Sequence, residues 1–234
     1  MLGLPRVRHV MTQLMGPATI AATDPALTVL SAGARLSVKQ TGYPLLAERG
    51  ELSDELRRFL AAGPPPVYAG FGSMPYGNRE RVGRLLVEAA ERAGHRLVVY
   101  RGWARIPDVG QRGECLFVDE EPHGLLFPQV SAVIHHGGAG TVAAAARAGV
   151  PQIVLPQAAD QFLWRSQVVG LGLGPRAPML RLASAASLAR AITAAVGELA
   201  YRHQAASIAA RLEAASDGVA ATIAEIVRPG EAAA

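Results

Sequence analysis

The sequence predicts a doubly wound α/β domain with a parallel sheet over residues 64–228. After Pro64-Pro65-Pro66, short apolar segments alternate with segments of helical periodicity, and this alternation is typical of βαβ units. The apolar segments are rich in β-branched or aromatic residues and are apolar on both faces, as expected of strands covered by helices on both sides. The predicted strands are 67–71, 97–100, 115–118, 132–135 and 152–155.

Capping residues indicate where the helices between these strands begin and end. Asn78 can accept a hydrogen bond from the first free amides of a helix and Gly94 can close it, so a helix is predicted from Asn78 to Ala93. The other predicted helices run from 140–141 to just before Gly149, from near Asp160 to 170 or 172, and, as two or three alanine-rich helices with Ser184 and Asp217 as caps, through 184–227.

Residues 1–63 contain too few elements to form a core of their own. One strand is predicted at 27–30, a short extended piece at 38–41 and a helix at 53–61. Residues 229–234 are predicted to be a disordered tail. The folded domain is therefore expected to span residues 64–228.

The composition argues against several classes of function. The 234 residues carry a net charge of +4, and the arginines are scattered rather than gathered in a run that could follow a nucleic-acid backbone. No apolar run approaches the roughly 20 residues of a membrane-spanning helix, and Met1 is not followed by a signal-peptide pattern. The single cysteine, Cys115, excludes an internal disulfide and is predicted to be a buried strand residue of a cytoplasmic protein.

Three loops carry candidate binding residues, because ligands of an open parallel sheet bind where its strands end and its helices begin. The first loop is His135-His136-Gly137-Gly138-Ala139-Gly140-Thr141. Its small residues let a phosphate approach the amides of a helix N-terminus, and His136 and Thr141 can add side-chain donors. A tight turn is the alternative, but two adjacent histidines favour phosphate binding. No lysine follows the glycines, so the loop is not a P-loop.

The second and third loops are less specific. Gly72 and Ser73 follow the first strand and could contact the other phosphate of a diphosphate, although a common strand-terminal turn is the alternative. Asp160 and Gln161 follow the fifth strand, and a carboxylate beside an amide can bind neighbouring sugar hydroxyls. Equally, Asp160 could be an N-cap and Gln161 a solvated side chain.

In order and spacing, the three loops resemble the bacterial two-domain glycosyltransferases of family 1 that act on antibiotic and macrolide aglycones, together with the related sterol 3-beta-glucosyltransferases. The matching stretches are GFGSM (70–74), RGWA (101–104), VDEEPHGLLFPQVSAVIHHGGAGT (118–141) and RAGVPQIVLPQAADQFLW (147–164). The resemblance covers residues 27–227. It implies the Rossmann-like C-terminal domain of a GT-B fold, which binds the nucleotide-sugar donor.

The resemblance also implies roles for individual residues. The diphosphate would be held by Ser73, by His136 and by the backbone amides of Gly138, Ala139, Gly140 and Thr141. The sugar hydroxyls would contact Asp160 and Gln161. The nucleobase would lie against Val118, Asp119 and Glu120, and Trp103 would cover the base or, alternatively, belong to the core. His123 and Phe127 match a motif that we interpret as structural.

The activity implied by the resemblance is the inverting transfer of a hexose from a nucleotide diphosphate sugar to a hydroxyl of a small-molecule acceptor. UDP-glucose is the favoured donor and a dTDP-deoxysugar the runner-up, and neither a metal nor another cofactor is expected. Full-length members carry an N-terminal domain that binds the acceptor and supplies the catalytic base. Residues 1–63 resemble the end of that domain and the interdomain linker. No catalytic residue is therefore expected on this chain, which should transfer little in isolation.

Other interpretations stay open. The chain could be a natural donor subunit that works with a separate acceptor-binding chain, or a non-catalytic protein that only binds nucleotide sugars. A nucleotide-sugar epimerase of related fold is less favoured, because such enzymes also need residues from two domains. A donor domain or subunit would expose an apolar face of its last helix to a partner or a second copy, and that face is formed by Val219, Ile223, Ile226 and Val227.

Overall fold

The computed structural model describes residues 19–30, 38–44, 50–72, 78–103, 105–109, 114–215 and 218–227. Contacts divide the chain into two compact units, a larger one, Leu46–Ala214, and a smaller one that combines Met1–Leu45 with Ala215–Ala234. The helix near residue 54 falls in the larger unit and the last helix in the smaller one. The domain limits at 64 and 228 stay a prediction from the sequence. The predicted tail at 229–234 lies outside the described residues.

In the smaller unit, strand β1 (Thr19–Ala21) pairs in parallel with strand β2 (Val38–Gln40). The extended piece predicted at 38–41 is confirmed, but the strand predicted at 27–30 is wrong. The backbone turns there instead, because the carbonyl oxygen of Asp24 accepts hydrogen bonds from the amides of Leu27 and Thr28 (2.9 and 3.1 Å). An aspartate followed by proline favours such a turn over the strand that the apolar run indicates.

The last helix, Gly218–Ile226, belongs to the same unit as β2. Lys39 Nζ forms an ion pair with Glu225 (2.7 Å), and the hydroxyls of Thr41 and Thr222 are 2.8 Å apart. On the same helix the side chains of Ile223, Ile226 and Val227 are exposed. The predicted exposure is therefore confirmed for these three residues, whereas Val219, the fourth residue of the predicted face, is half-buried.

The larger unit contains a five-stranded, fully parallel sheet. Its strands are β3 (Val67–Gly70), β4 (Leu97–Tyr100), β5 (Cys115–Val118), β6 (Ala132–His135) and β7 (Gln152–Val154). All five predicted strands are confirmed, two of them ending one residue earlier than expected. The spatial order is β5-β4-β3-β6-β7, so the chain reverses its direction of winding between β3 and β6. In a doubly wound sheet this switch point is where ligands bind.

Helices cover both faces of this sheet. They are α1 (Asp54–Ala61), α2 (Arg79–Ala93), α3 (His123–Leu126) with the 3₁₀ turn Phe127–Gln129, α4 (Ala139–Arg147), α5 (Gln161–Gly170), α6 (Ala185–Gly197) and α7 (Leu199–Glu213). The predicted caps of α2 are confirmed, as Asn78 accepts from the Arg81 amide (2.8 Å) and Gly94 is left-handed. Ser184 forms a capping box with Ser187 at the start of α6. The predicted cap Asp217 lies outside the described residues.

Alternate strand residues supply two separate cores. Val67, Ala69 and Phe71 belong to a buried cluster that includes residues of α2 and α6. Tyr68 points to the other face and joins a cluster with residues of α1, α3 and α4. Cys115 is buried in β5 as predicted, and burial raises the pKa of its thiol to about 12. Within the described ranges, none of the helices is both long and apolar enough to cross a membrane.

Candidate functional site

The candidate site lies where β3 and β6 end side by side. Gly70 is opposite His135 in the register of these strands, so the loops that follow them begin next to each other. After β6 the chain enters α4 at Ala139, with Gly138 as the N-cap and no side chain capping the helix. The amides of residues 139–141 therefore have no partner within the helix, and the positive end of its dipole is open. Free amides at the positive end of a helix favour the binding of an anion. The helix concerned, α4, is nine residues long.

His136 lies between the two loops, half-buried. A Cβ on Gly138 would be 2.7 Å from His136 Nε2, and a Cβ on Gly72 would be 3.3 Å from its Cε1, so both glycines make room for the ring. His136 Nδ1 is buried without a hydrogen-bond partner among the described residues, which leaves Nε2 as the nitrogen beside the helix N-terminus. Burial lowers the pKa of His136, and the nearby carboxylate of Asp160 raises it by less.

His135 has different surroundings from its neighbour. The residue is fully buried, its Nδ1 accepts the Gly137 amide (3.1 Å), and its Nε2 is 3.1 Å from Gln152 Oε1. Burial lowers the pKa of His135 to about 3. The two histidines that the sequence presents as a pair are thus one scaffold residue and one residue at the site. Sequence reasoning missed Gln152, although a polar residue inside an otherwise apolar strand was the available signal.

The loop after β7, residues 156–161, brings Asp160 and Gln161 to the same edge of the sheet. Asp160 occupies the N-cap position of α5, but its exposed carboxylate makes no capping hydrogen bond. Gln161 is only 6% exposed, and its Oε1 accepts the amides of Gln157 and Ala158 (2.8 and 3.1 Å). The alternative of a solvated Gln161 is therefore wrong. Its oxygen therefore stabilises the loop.

Gly137 joins this loop to the glycine-rich loop. It has a φ of +97°, and a Cβ there would be 2.8 Å from Val154 Cγ1 and 3.1 Å from the Gln161 carbonyl oxygen. Ala159, just before Asp160, has a φ of +51°, a left-handed conformation that is unusual for alanine. Close packing and a strained backbone therefore set the position of Asp160 relative to His136.

The predicted base-binding residues follow β5. Val118 is buried and its carbonyl oxygen accepts the Arg101 amide (2.9 Å), whereas Asp119 and Glu120 are exposed. Trp103 is 82% exposed, so its interpretation as a core residue is wrong. A Cβ on Gly102 would lie 2.7 Å from the Gly72 carbonyl oxygen, which shows how closely the Trp103 loop approaches the loop after β3. Ser73 lies outside the described residues.

His123 and Phe127 pack against Tyr68 of β3, and their expected part in holding the segment after β5 in place stays a prediction. Their rings are stacked with centroids 4.4 Å apart, and His123 Nε2 is 3.2 Å from the Tyr68 hydroxyl. Burial raises the pKa of Tyr68 well above its ordinary value. The aromatic contacts tie α3 and its 3₁₀ turn to β3 and give these residues a structural role.

The strand order, the two helix layers and the loops at the switch point define a Rossmann-like, doubly wound α/β domain. Residues 85–228 match the family described as "Erythromycin biosynthesis protein CIII-like, C-terminal domain". The chain belongs to this family of glycosyltransferases, which confirms the resemblance drawn from the sequence.

Several similar proteins are named as glycosyltransferases. The chain is 45% identical over 175 residues to vancomycin aglycone glucosyltransferase of Amycolatopsis orientalis, covering 74% of this chain and 42% of that protein. It is 38% identical over 179 residues to dTDP-epi-vancosaminyltransferase of the same organism, covering 74% of this chain and 44% of the relative. A sterol 3-beta-glucosyltransferase of Arabidopsis thaliana is 37% identical over 144 residues, which are 61% of this chain and 23% of that protein. The chain therefore spans less than half the length of these relatives.

The fold is also found in solved structures. The glycosyltransferase of kitacinnamycin superposes with a TM-score of 0.70 at 21% identity, over 91% of this chain and 55% of the other. This similarity confirms the predicted fold, the C-terminal domain of a GT-B glycosyltransferase. At this level of identity it concerns the fold only.

Proposed function

We propose that the larger unit binds the nucleotide diphosphate sugar of an inverting glycosyltransferase and stabilises the diphosphate that leaves. The observation that carries this proposal is the position of His136 beside the uncapped N-terminus of α4, close enough to Asp160 for that carboxylate to influence its pKa. Free amides and the helix dipole favour a diphosphate. The attached hexose would then extend toward Asp160 and Gln161.

The strand order supports this direction for the donor. The predicted base-binding segment follows β5 at one edge of the sheet, the diphosphate loops follow β3 and β6, and the sugar loop follows β7 at the other edge. Neighbouring strands are about 4.8 Å apart, so the row from β5 to β7 is roughly 19 Å long. A ligand with base, diphosphate and sugar in a line suits this row, with the exposed Trp103 beside the base.

UDP-glucose is the favoured donor. Asp160 can accept and the Gln161 NH₂ group can donate, which suits adjacent hydroxyls of a fully hydroxylated hexose. The name of the first relative above specifies a glucosyltransferase, in agreement with this choice. Another relative is named for a dTDP-sugar, and a dTDP-deoxysugar is therefore the runner-up.

In the proposed reaction, an acceptor hydroxyl attacks the anomeric carbon from the face opposite the diphosphate. The bond between that carbon and the phosphate oxygen breaks, and its electron pair stays on the diphosphate. His136 and the amides of residues 139–141 are fixed where this charge develops, which is usually a large electrostatic contribution to catalysis. The proton of the hydroxyl goes to a base in an acceptor-binding domain outside this sequence. Neither a metal nor a cofactor is required by this scheme.

Calorimetric titration with UDP, dTDP and UDP-glucose tests the proposal. His136→Ala should weaken UDP binding by about 10- to 100-fold, the equivalent of one or two lost hydrogen bonds to a charged ligand. His203→Ala is the matched control, because His203 is an exposed residue of α7 and should leave binding unchanged. EDTA should have no effect. A folded wild-type chain that binds none of the three nucleotides refutes the proposal.

The second candidate is a non-catalytic, nucleotide-sugar-binding subunit that acts with a separate acceptor-binding chain. The exposed side chains of Ile223, Ile226 and Val227 favour a partner or a second copy in this case too. Joining the chain to the N-terminal half of vancomycin aglycone glucosyltransferase distinguishes the candidates. Glucose transfer by the chimera supports the enzyme, and tight donor binding without transfer supports the auxiliary subunit. A cytoplasmic location is proposed for either candidate.

A further inference from the structure

His135 is buried deep beside the candidate diphosphate site, where no ligand would reach it. Its residue exposure is 0%, and both ring nitrogens have protein partners. Nδ1 accepts the amide of Gly137, and Nε2 contacts Gln152 Oε1, each at 3.1 Å. Gln152 Nε2 in turn donates to the carbonyl oxygen of Val142, the fourth residue of α4 (3.3 Å). This chain of hydrogen bonds ties together β6, β7, the glycine-rich loop and α4.

The chemical groups in this hydrogen-bond network determine which atom donates and which accepts in each bond. The Gly137 amide can only donate, so His135 Nδ1 must be unprotonated and the neutral ring carries its hydrogen on Nε2. That hydrogen is donated to the Gln152 oxygen, and the Gln152 NH₂ group is left to donate to Val142. A second proton on His135 would place two N–H groups against each other. The loop geometry therefore depends on a neutral His135.

Holding the Gly137 amide inward has a consequence for the residues that follow it. Gly137 adopts a φ of +97° with its amide toward His135, and the chain then enters α4 with the amides of residues 139–141 uncapped. The ring of His136 lies over Gly138 on this same stretch. The hydrogen bond from the Gly137 amide to His135 Nδ1 thus sets the orientation of His136 and of the α4 amides, although this bond itself points into the protein interior.

We propose that His135 is a positioning residue for the diphosphate site, where its Nδ1 holds the Gly137 amide inward so that His136 and the α4 amides face the ligand. This inference rests on the proposed function, since it assumes a diphosphate at that loop. It assigns the two adjacent histidines different tasks: His136 contacts the ligand, and His135 orients the loop that carries the contacts.

Two substitutions separate the two halves of this hydrogen-bond chain. His135→Asn keeps an acceptor near the position of Nδ1 but cannot reach Gln152, whereas His135→Gln reaches Gln152 and leaves the Gly137 amide without its acceptor. We expect His135→Asn to keep UDP affinity within about threefold of the wild type and His135→Gln to weaken it about tenfold, the equivalent of one hydrogen bond. Uridine lacks the phosphates, and its affinity, measured by NMR titration, should be the same in all three proteins.

If UDP affinity falls equally in the two variants, or if uridine affinity falls as much as UDP affinity, the inference is overturned in favour of a purely structural role for His135. Nitrogen-15 NMR of the wild-type imidazole provides a test that does not depend on the variants folding. His135 should show an unprotonated Nδ1 and a protonated Nε2 at pH 7, and the opposite tautomer would also overturn the inference. A folded wild type that binds no UDP refutes the proposed function, whereas UDP binding with equal losses in both variants refutes only the role of His135.

Discussion

Replacing Gly137 by alanine should destabilise the larger unit and weaken donor binding, because the added methyl group enters space that is already filled. A Cβ at this position would be 2.8 Å from Val154 Cγ1 and 3.1 Å from the Gln161 carbonyl oxygen. The oxygen belongs to the backbone at the start of α5, so it cannot move aside as a flexible side chain would. Gly137 also has a φ of +97°, which L-residues rarely adopt.

The expected magnitude has two contributions. A left-handed backbone costs a residue with a side chain about 1–2 kcal/mol. Forcing a further methyl group into a packed interior costs about 1–3 kcal/mol. The free energy of unfolding should therefore fall by about 2–5 kcal/mol in Gly137→Ala. Gly94 is the matched control, since it has a φ of +69° with nothing within 4 Å of an added Cβ, and Gly94→Ala should cost only about 1–2 kcal/mol.

Urea unfolding followed by circular dichroism, combined with UDP titration, tests this reasoning. Gly137→Ala should lose about 1–3 kcal/mol more than Gly94→Ala, which is the contribution of crowding. UDP affinity should fall in Gly137→Ala, because the displaced loop carries His136, and should stay at the wild-type level in Gly94→Ala. Equal stability losses in the two variants, or unchanged UDP affinity in Gly137→Ala, would refute the inferred packing of the two loops.

Three further predictions concern single residues. His135 has a folded pKa of about 3 against an ordinary value of 6.5, so the unfolded chain binds more protons below pH 6.5 and stability is lost as the pH falls. As the pH falls from 7.5 to 5.5, protonation of this residue in the unfolded chain should lower the free energy of unfolding by about 1.4 kcal/mol. Urea unfolding of His135→Asn should therefore show a shallower pH dependence than that of the wild type. An unchanged slope contradicts a neutral, buried His135. Ala159→Gly should stabilise the larger unit by about 1 kcal/mol in the same assay, because glycine adopts the left-handed conformation without strain, and a loss of stability would count against that conformation. Cys115 should resist thiol reagents at pH 8 in the native protein and react once urea unfolds it, since burial disfavours the reactive thiolate; rapid native labelling would contradict this.

The elements of the larger unit could be predicted because their signals are local. β4, β5 and β6 have the predicted limits, and α2 begins and ends at the predicted capping residues. The strand predicted at 27–30 failed because the turn at Asp24 captures the following amides, an interaction that apolar patterning does not report. The placement of the last helix in the smaller unit also depends on contacts distant in sequence, such as the ion pair between Lys39 and Glu225.

The candidate loops were predicted from their residue types and their order along the chain. The contacts that each residue makes could not be predicted in this way. His135 and His136 are adjacent and chemically identical, and only burial and hydrogen bonding distinguish the scaffold residue from the one at the site. Gln161 could have been a free sugar ligand until the structure placed its oxygen on the amides of Gln157 and Ala158. Gln152 has no signature beyond its polarity within an apolar strand.

By itself, the sequence determined the class of fold, the positions of its strands and helices, and the family to which the chain belongs. Periodicity, caps and glycines act over a few residues, so these signals survive without tertiary information. Only the tertiary structure decided the order of the strands, the close approach of Gly137 to Gln161, and which polar groups are satisfied internally. Such contacts join residues that are far apart in the sequence but close-packed in the folded protein. A pattern confined to a few neighbouring residues does not encode their geometry.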